Sequence, residues 1–151
     1  MERQIDNLLH GSQFKQLMED RISQIREQYG LRKVDVEILY YLSGCGERNT
    51  SKDIKNDTKI TKGHISQSVD RLQKMELLTF IPDENDRRCV HLCLTQKAEQ
   101  VSRDITGVWN EMSRIVFDGV TEEEVKVLAS VAAKIARNID RAMNGGTVNN
   151  R

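Results

Sequence analysis

The chain has 151 residues, of which 23 are Lys or Arg and 23 are Asp or Glu, so its formal net charge is zero; 38% of the residues are hydrophobic. That length fits one domain with a helical extension, and the hydrophobic content argues against wholesale disorder. The longest strictly apolar run, Ile38 to Leu42, is far too short to span a membrane, and the first residues lack the apolar core of a signal peptide. Three cysteines cannot all pair within one chain, so we expect a reduced, cytoplasmic protein.

The first third of the chain predicts two helices. Apolar residues separated by three and four positions predict a helix that ends at Gly30. These residues are Phe14, Met18, Ile22, Ile25 and Tyr29. Residues 34–42 form a short, strongly apolar segment, which predicts a buried helix.

The balanced charge hides a basic segment in the middle of the chain. Between positions 48 and 74, only three acidic residues oppose seven basic ones: Arg48, Lys52, Lys55, Lys59, Lys62, Arg71 and Lys74. A local excess of this kind can attract a polyanion even when the whole molecule is neutral. Charge alone leaves open the alternative of a solvated helix face.

Two short helices are predicted within this segment. Thr50 and Asp53 have the spacing of a capping box and should open the first. The second should start at Thr61 and reach residue 75, with Ile65, Val69 and Leu72 on one inward stripe. Its outer face would then carry groups suited to bases and phosphates: Lys62, Gly63, His64, Ser66, Gln67 and Arg71. For His64, facing water is an equal alternative.

A β-hairpin is predicted next. Residues 77–81 favour a strand, with Pro82 at its end, where a missing N–H does least harm. A polar turn over residues 83–88 precedes a second, half-buried strand with alternating apolar residues. Two short helices followed by a hairpin with a charged tip give the order of a winged helix-turn-helix. In such a domain one helix fits the major groove of DNA and the hairpin reaches the neighbouring minor groove.

The last third predicts two long amphipathic helices. The first carries Val101, Ile105, Val108, Met112 and Ile115 at steps of three and four. Thr121 and Glu124 have the spacing of a second capping box. The helix behind it carries Val125, Leu128, Ala132, Ile135 and Ile139. One small core offers few partners for these faces, which favours dimerisation, with an intramolecular helical hairpin as the alternative.

The hairpin resembles the wing of the MarR (multiple antibiotic resistance regulator) family. The resemblance rests on Asp86-Arg87-Arg88, on the alternating strand behind it, and on Leu94-Thr95 before a long helix. The element order also matches, over roughly residues 5–143. The chain departs from the family at four places, which are Glu76-Leu77-Leu78 in place of Gly-Leu-Ile, Phe80 and Gln67 at positions that are often basic, and Ala98 in place of Gly. The operator sequence therefore cannot be transferred from relatives.

This resemblance implies a mainly α fold with a small β-hairpin wing and long terminal dimerisation helices. Residues 31–95 would form the winged helix-turn-helix DNA-binding domain, residues 1–30 and 96–144 the helical dimerisation region, and residues 145–151 a flexible tail. The implied protein is a homodimer, usually a repressor, that binds a near-palindromic double-stranded DNA operator. Members of the family often release DNA on binding a small aromatic effector or on cysteine oxidation.

The resemblance also implies roles for the wing residues. By position, Arg88 would enter or border the minor groove, Asp86 would orient it through a charge-assisted hydrogen bond, and Arg87 would hold phosphate. Two alternatives stay open: a solvated turn at these residues, and a winged-helix module that binds a protein instead of DNA.

No catalytic constellation is visible, so neither an enzyme nor a cofactor is expected. Cys89, His91 and Cys93 share one strand face and suggest a metal site. In an extended strand, however, the two cysteines lie about 13 Å apart, too far for one zinc ion or a disulfide, so we predict filler residues and no metal.

Three residues of the buried helix and its end leave alternatives open. Tyr40 and Tyr41 are predicted to pack in the core, with the wall of an effector pocket as the alternative. Cys45, at the end of this helix, is predicted to be inert, with a redox-sensing role as the alternative.

Overall fold

A computed structural model describes residues 11–144, which form six helices and a two-stranded antiparallel sheet. The helices are α1 (Ser12–Tyr29), α2 (Lys33–Gly44), α3 (Ser51–Asp57), α4 (Lys62–Lys74), α5 (Ala98–Val116) and α6 (Glu122–Asn144), and the strands are β1 (Leu78–Pro82) and β2 (Val90–Leu94). The predicted fold class and element order are confirmed. The predicted tail, residues 145–151, lies outside the described residues. Over residues 11–144, no helix combines the length and hydrophobicity needed to cross a membrane.

The chain reverses between α1 and α2 at Gly30, as predicted. Gly30 has a φ of 65°, a left-handed conformation, and its N–H donates to the carbonyl of Arg26. The N–H of Leu31 donates to the same carbonyl at 2.9 Å. Helix α2 follows this turn into the core, whose largest fully buried apolar side chains are Ile38, Leu39, Ile54, Ile65, Leu72, Ile105 and Met112.

Both short helices begin at threonine caps. Thr50 Oγ1 accepts a hydrogen bond from the Asp53 N–H at 3.2 Å, and Asp53 Oδ2 accepts one from the Thr50 N–H at 3.1 Å. This reciprocal pair confirms the predicted capping box. Thr61 Oγ1 accepts from the His64 N–H at 3.4 Å and so caps α4.

Helix α4 ends in a Schellman motif with a residue that rarely adopts the required conformation. The N–H of Leu77 donates to the Leu72 carbonyl and the N–H of Glu76 to the Gln73 carbonyl, both at 2.9 Å. This pattern forces Glu76 to a φ of 62°. The family that the hairpin resembles usually has glycine at this position, and the strain of a side chain in this conformation is about 1–2 kcal/mol.

Glu76→Gly is therefore expected to raise the free energy of unfolding by about 1 kcal/mol, because glycine adopts this φ without the steric penalty. Urea denaturation followed by circular dichroism measures the change. Glu76→Ala is the control, since it keeps the strain and removes only the exposed ion pair of Glu76 with Lys97. An equal gain from the alanine variant would show that the side chain, and not the φ angle, is responsible.

The hairpin has the predicted antiparallel form with a small shift in its first strand. β1 begins at Leu78 and includes Pro82, which pairs with Val90. Only Leu92 of β2 is fully buried, since a two-stranded sheet covers little surface at its ends. A further bond joins the Leu92 N–H to the Asn49 carbonyl at 2.8 Å, so residues 49 and 50 lie along the other edge of β2.

The chain divides into two compact units, the first ending at Met112 and the second beginning at Ser113. The first contains the buried core described above. In the second, α6 begins at the predicted capping box, with Thr121 Oγ1 accepting from the Glu124 N–H at 3.3 Å. None of the residues of α6, all of which are described, is buried. Its exposed large hydrophobic residues are Val127, Leu128, Val131, Ile135, Ile139 and Met143.

Candidate nucleic-acid interface

The N-terminal half of α4 presents a polar face. Ile65, Val69 and Leu72 are 2%, 5% and 0% exposed, which confirms the predicted inward stripe. The opposite face exposes Lys62, Gly63, His64, Ser66 and Gln67. The free N–H groups of a helix N-terminus and the positive end of its dipole favour an approaching phosphate. We call α4 the recognition helix.

Arg71 differs from the prediction that placed it on the free outer face. Its guanidinium Nε donates to Asp35 Oδ2 at 3.1 Å, and its Nη2 donates to the Gly30 carbonyl. Asp35 is 0% exposed and also accepts from Ser68 Oγ at 2.5 Å and from the Arg32 N–H at 2.7 Å. A buried carboxylate needs such partners, and it draws Arg71 back toward the α1–α2 turn. Arg71 therefore fixes the recognition helix to the core.

The wing tip is organised by Asp83. Its Oδ1 accepts from the N–H groups of Asn85 and Asp86 at 2.8 and 2.9 Å, and its Oδ2 contacts His91 Nε2 at 2.9 Å. The His91 hydrogen bond and these two backbone donors lower the pKa of the Asp83 carboxyl to about 2. The tip is thus shaped by a carboxylate that stays ionised at physiological pH.

Arg87 and Arg88 lie exposed at this tip. Asp86 Oδ1 accepts from the backbone N–H of Arg88 at 3.0 Å, so it positions the main chain of Arg88 through a charge-assisted hydrogen bond. The resemblance implies that Asp86 orients Arg88 through a charge-assisted hydrogen bond, and the bond that the structure shows is to the Arg88 main chain. Among the ion pairs of residues 11–144, none involves the Arg87 or Arg88 guanidinium. Both cations are available to a partner.

A pocket of about 880 Å³ lies beside α2, lined by residues of α2, α3 and α5. Tyr40 is 41% exposed and its ring centroid lies 4.9 Å from that of Trp109 on one wall, so the expectation that Tyr40 packs in the core was wrong. Tyr41 is half-buried against the core. Consecutive side chains on a helix point about 100° apart, so the rings of Tyr40 and Tyr41 lie in different environments.

The polar wall of the pocket is an ion pair. Arg48 donates to both Asp57 carboxylate oxygens, at 2.7 and 2.8 Å, and Tyr41 Oη donates to the same carboxylate at 2.8 Å. Burial and this bond raise the pKa of Tyr41 to about 12. Burial also raises the pKa of the Cys45 thiol on the same wall, which disfavours the reactive thiolate.

Sequence reasoning missed Asp35, Ser68 and Asp83 as organising residues. Asp35 carried one available signal, since a carboxylate in a strongly apolar segment needs a buried partner. Asp83 also carried a signal, because an Asp side chain at the start of a polar turn often accepts hydrogen bonds from the backbone N–H groups two or three positions later. The identity of the partners depended on the tertiary fold.

Comparisons with known proteins agree with this geometry. Residues 31–98 match the family model of a winged helix DNA-binding domain. The uncharacterized HTH-type transcriptional regulator YsmB of Bacillus subtilis (strain 168) is 24% identical over 118 residues, 78% of this chain and 80% of YsmB.

Two solved structures share the architecture. A mutant MarR from E. coli complexed with operator DNA has a TM-score of 0.66 and 19% identity, covering 87% of this chain and 92% of its own. The organohalide-sensing regulator RdhR in its 2,4-dichlorophenol-bound form has a TM-score of 0.64 and 19% identity, covering 91% of this chain and 82% of its own.

The recognition helix and wing, together with the family match, give residues 31–98 the fold of a winged helix DNA-binding domain. The described helices and strands have the same fold as MarR.

Proposed function

We propose that this protein is a cytoplasmic homodimeric repressor that binds a near-palindromic DNA operator and releases it on binding a small aromatic ligand. The observation that carries the proposal is the polar face of the recognition helix beside a wing with two unpaired arginines among the described residues. Residues 31–95 bind DNA in this proposal, and residues 1–30 and 96–144 form the dimer.

The recognition helix addresses the major groove through Lys62, His64, Ser66 and Gln67. An amide such as that of Gln67 can pair with both the N6 and N7 positions of adenine, and a lysine can donate to guanine or phosphate. Wing residue Arg88 enters or borders the minor groove, where the negative potential is strongest, and Arg87 binds phosphate. Asp86 contributes by holding the Arg88 main chain.

The apolar face of α6 supports the homodimer. Leu128, Ile135 and Ile139 are 43%, 36% and 53% exposed and lie on one side of the helix. We infer that a second copy of the chain covers this face. A near-palindromic operator has two half-sites, and two recognition helices about 34–36 Å apart would match one turn of the duplex.

The pocket beside α2 supports the effector. Its volume falls within the range of about 300–1,000 Å³ that is usual for small-molecule sites, and Tyr40 and Trp109 offer aromatic faces. Trp109 is the single tryptophan of the chain, so its fluorescence reports occupancy directly. Titration with 2,4-dichlorophenol should quench this emission, and ligand-saturated protein should bind the operator more weakly. Undiminished binding at saturation would reject the switching role.

Selection of bound duplexes from a random library tests the DNA-binding function. We expect an enriched inverted repeat whose affinity falls steeply and linearly with the logarithm of salt concentration, as phosphate contacts require. An absence of enrichment over several salt concentrations would contradict the proposal and favour a protein partner for the same surfaces.

Arg88→Ala is expected to weaken binding to most duplexes and to lower the slope of log affinity against log salt by about one unit, since a cation that displaces one counterion at the minor groove is lost. Fluorescence anisotropy at several salt concentrations measures this slope. Gln67→Ala provides the contrast, with a loss of about 1–3 kcal/mol confined to one base step. An unchanged slope for the Arg88 variant would mean that the wing does not contact DNA.

Gly63→Ala is expected to stabilise the fold by up to about 1 kcal/mol and to weaken operator binding about tenfold. A Cβ at Gly63 would meet no heavy atom within 4 Å, so the fold does not require this exposed helical glycine, whereas close approach to DNA does. The matched control is Gly107→Ala in α5, where a Cβ also meets nothing within 4 Å. It should gain stability without losing DNA affinity. Equal DNA affinity for both variants would contradict the close-approach role of Gly63.

A further inference from the structure

Three potential metal ligands meet where the two strands of the wing join its tip. One carboxylate oxygen of Asp83, the Sγ of Cys89 and one ring nitrogen of His91 all lie within 4.8 Å of one another. The backbone holds them there, because the Asp83 N–H donates to the Cys89 carbonyl at 3.0 Å just beyond the Pro82–Val90 pair. His91 follows two positions after Cys89, on the same face of the strand. Within residues 11–144, no other group of three such ligands is this close.

The side chains are already oriented by a second set of partners. His91 Nδ1 contacts Asn49 Oδ1 at 2.5 Å, while Nε2 faces Asp83. Metal-binding histidines usually have this arrangement, in which one ring nitrogen bonds an oxygen and the other faces the ion. Asp83 is held similarly, since its Oδ1 accepts two backbone N–H groups and its Oδ2 faces the cluster.

The donor set matches zinc chemistry. Thiolate, imidazole and carboxylate are the three ligand types that Zn²⁺ takes in proteins, at about 2.3, 2.0–2.1 and 2.0–2.2 Å. Tetrahedral coordination at those lengths places the ligand atoms about 3.3–3.6 Å apart. Side-chain shifts of about 1 Å reach this geometry, including a slight lengthening of the Asp83–His91 contact from 2.9 Å. All three residues are half-buried, which leaves a fourth position open to water.

We propose that Asp83, Cys89 and His91 bind one Zn²⁺ ion where the strands of the wing meet its tip. The Cys89 thiol loses its proton to solvent as the zinc–sulfur bond forms, and water completes the coordination. The sequence had excluded a site made of Cys89, His91 and Cys93. That exclusion still applies to Cys93, but Asp83, from the end of the first strand, supplies the third ligand instead.

The ion would bridge the two ends of the tip. Residues 83 and 89 flank the segment that carries Arg87 and Arg88, so zinc closes this segment at its base. A closed tip presents the arginines with less loss of conformational freedom on binding. The link between zinc and DNA affinity rests on the proposed function, whereas zinc binding itself does not.

Metal binding is tested on the full chain without DNA. Titration with Co²⁺, a coloured substitute for Zn²⁺, should give one equivalent per chain with a thiolate-to-metal charge-transfer band, and Zn²⁺ should displace it. Cys89→Ser should remove the band and weaken Zn²⁺ binding more than about 100-fold, because even the loss of a ligand's outer partner weakens binding about 10–100-fold. Cys93→Ser is the matched control and should bind as the unsubstituted chain does.

Three outcomes would overturn the site: no stoichiometric binding, a Co²⁺ spectrum without a thiolate band, or loss of the band in the Cys93 variant instead of the Cys89 variant. Asn49→Leu separates a built site from adventitious binding, since only a site that uses the Asn49 contact should lose about 10–100-fold in affinity. DNA affinity is measured afterwards with Zn²⁺ and with a chelator. A chain that binds zinc but no duplex would leave the metal site intact and reject the proposed function.

Discussion

Asp35→Ala is expected to lower the free energy of unfolding by about 3–5 kcal/mol, the largest effect on stability that we expect from a single polar substitution in this chain. The carboxylate is 0% exposed and accepts three hydrogen bonds, from Ser68 Oγ, the Arg32 N–H and Arg71 Nε. Its removal leaves the Ser68 hydroxyl without its partner inside the core. It also releases the cation that holds the recognition helix.

Urea denaturation at constant protein concentration measures this loss. Asp70→Ala is the matched control, because Asp70 is an exposed carboxylate on the recognition helix and its removal should change stability by less than about 0.5 kcal/mol. Asp35→Asn should fall between the two, since an amide keeps the volume but not the charge. A loss below about 1 kcal/mol for the alanine variant would show that the network does not stabilise the fold.

Ile135→Asp is expected to convert the proposed homodimer to a folded monomer and to lower operator affinity by about 100- to 10,000-fold. The second half-site is bound at high effective concentration only while the two copies are joined. Ile135 is 36% exposed in the single chain, so the substitution should leave the fold of the chain intact while placing a carboxylate in the centre of the dimer interface. Analytical ultracentrifugation gives the assembly state, and anisotropy gives the affinity.

The control for Ile135 is Ser130→Asp. It adds the same charge to α6 at an exposed position about 140° around the helix from Ile135. This variant should remain dimeric and bind DNA as tightly as the unsubstituted chain. A dimeric Ile135 variant, or a monomeric Ser130 variant, would place the interface elsewhere.

Helix order and inward stripes were predictable because they depend on local periodicity. Residues Ile65, Val69 and Leu72 recur at helical spacing, and their burial follows from that spacing alone. The caps at Thr50 and Thr121 were predictable for the same reason, since their partners lie three positions away.

The missed contacts of Asp35 and Asn49 join residues distant in sequence. Asp35 meets Ser68 and Arg71 more than thirty positions later, and His91 meets Asn49 across a similar distance. Periodicity carries no information about such pairs. The polar face of the recognition helix could therefore be predicted, but the withdrawal of Arg71 from it could not.

The bond between Leu92 and Asn49 bears on how the wing would meet a duplex. β2 is bonded on one edge to β1 and on the other to Asn49 and Thr50, the residues before α3, so both edges of this strand are fixed to the domain. Beyond residue 82 the tip is held by short-range contacts of Asp83. In the proposed complex, adaptation of the wing to groove width would therefore be confined to the residues of its tip, because both edges of β2 are bonded to the rest of the domain.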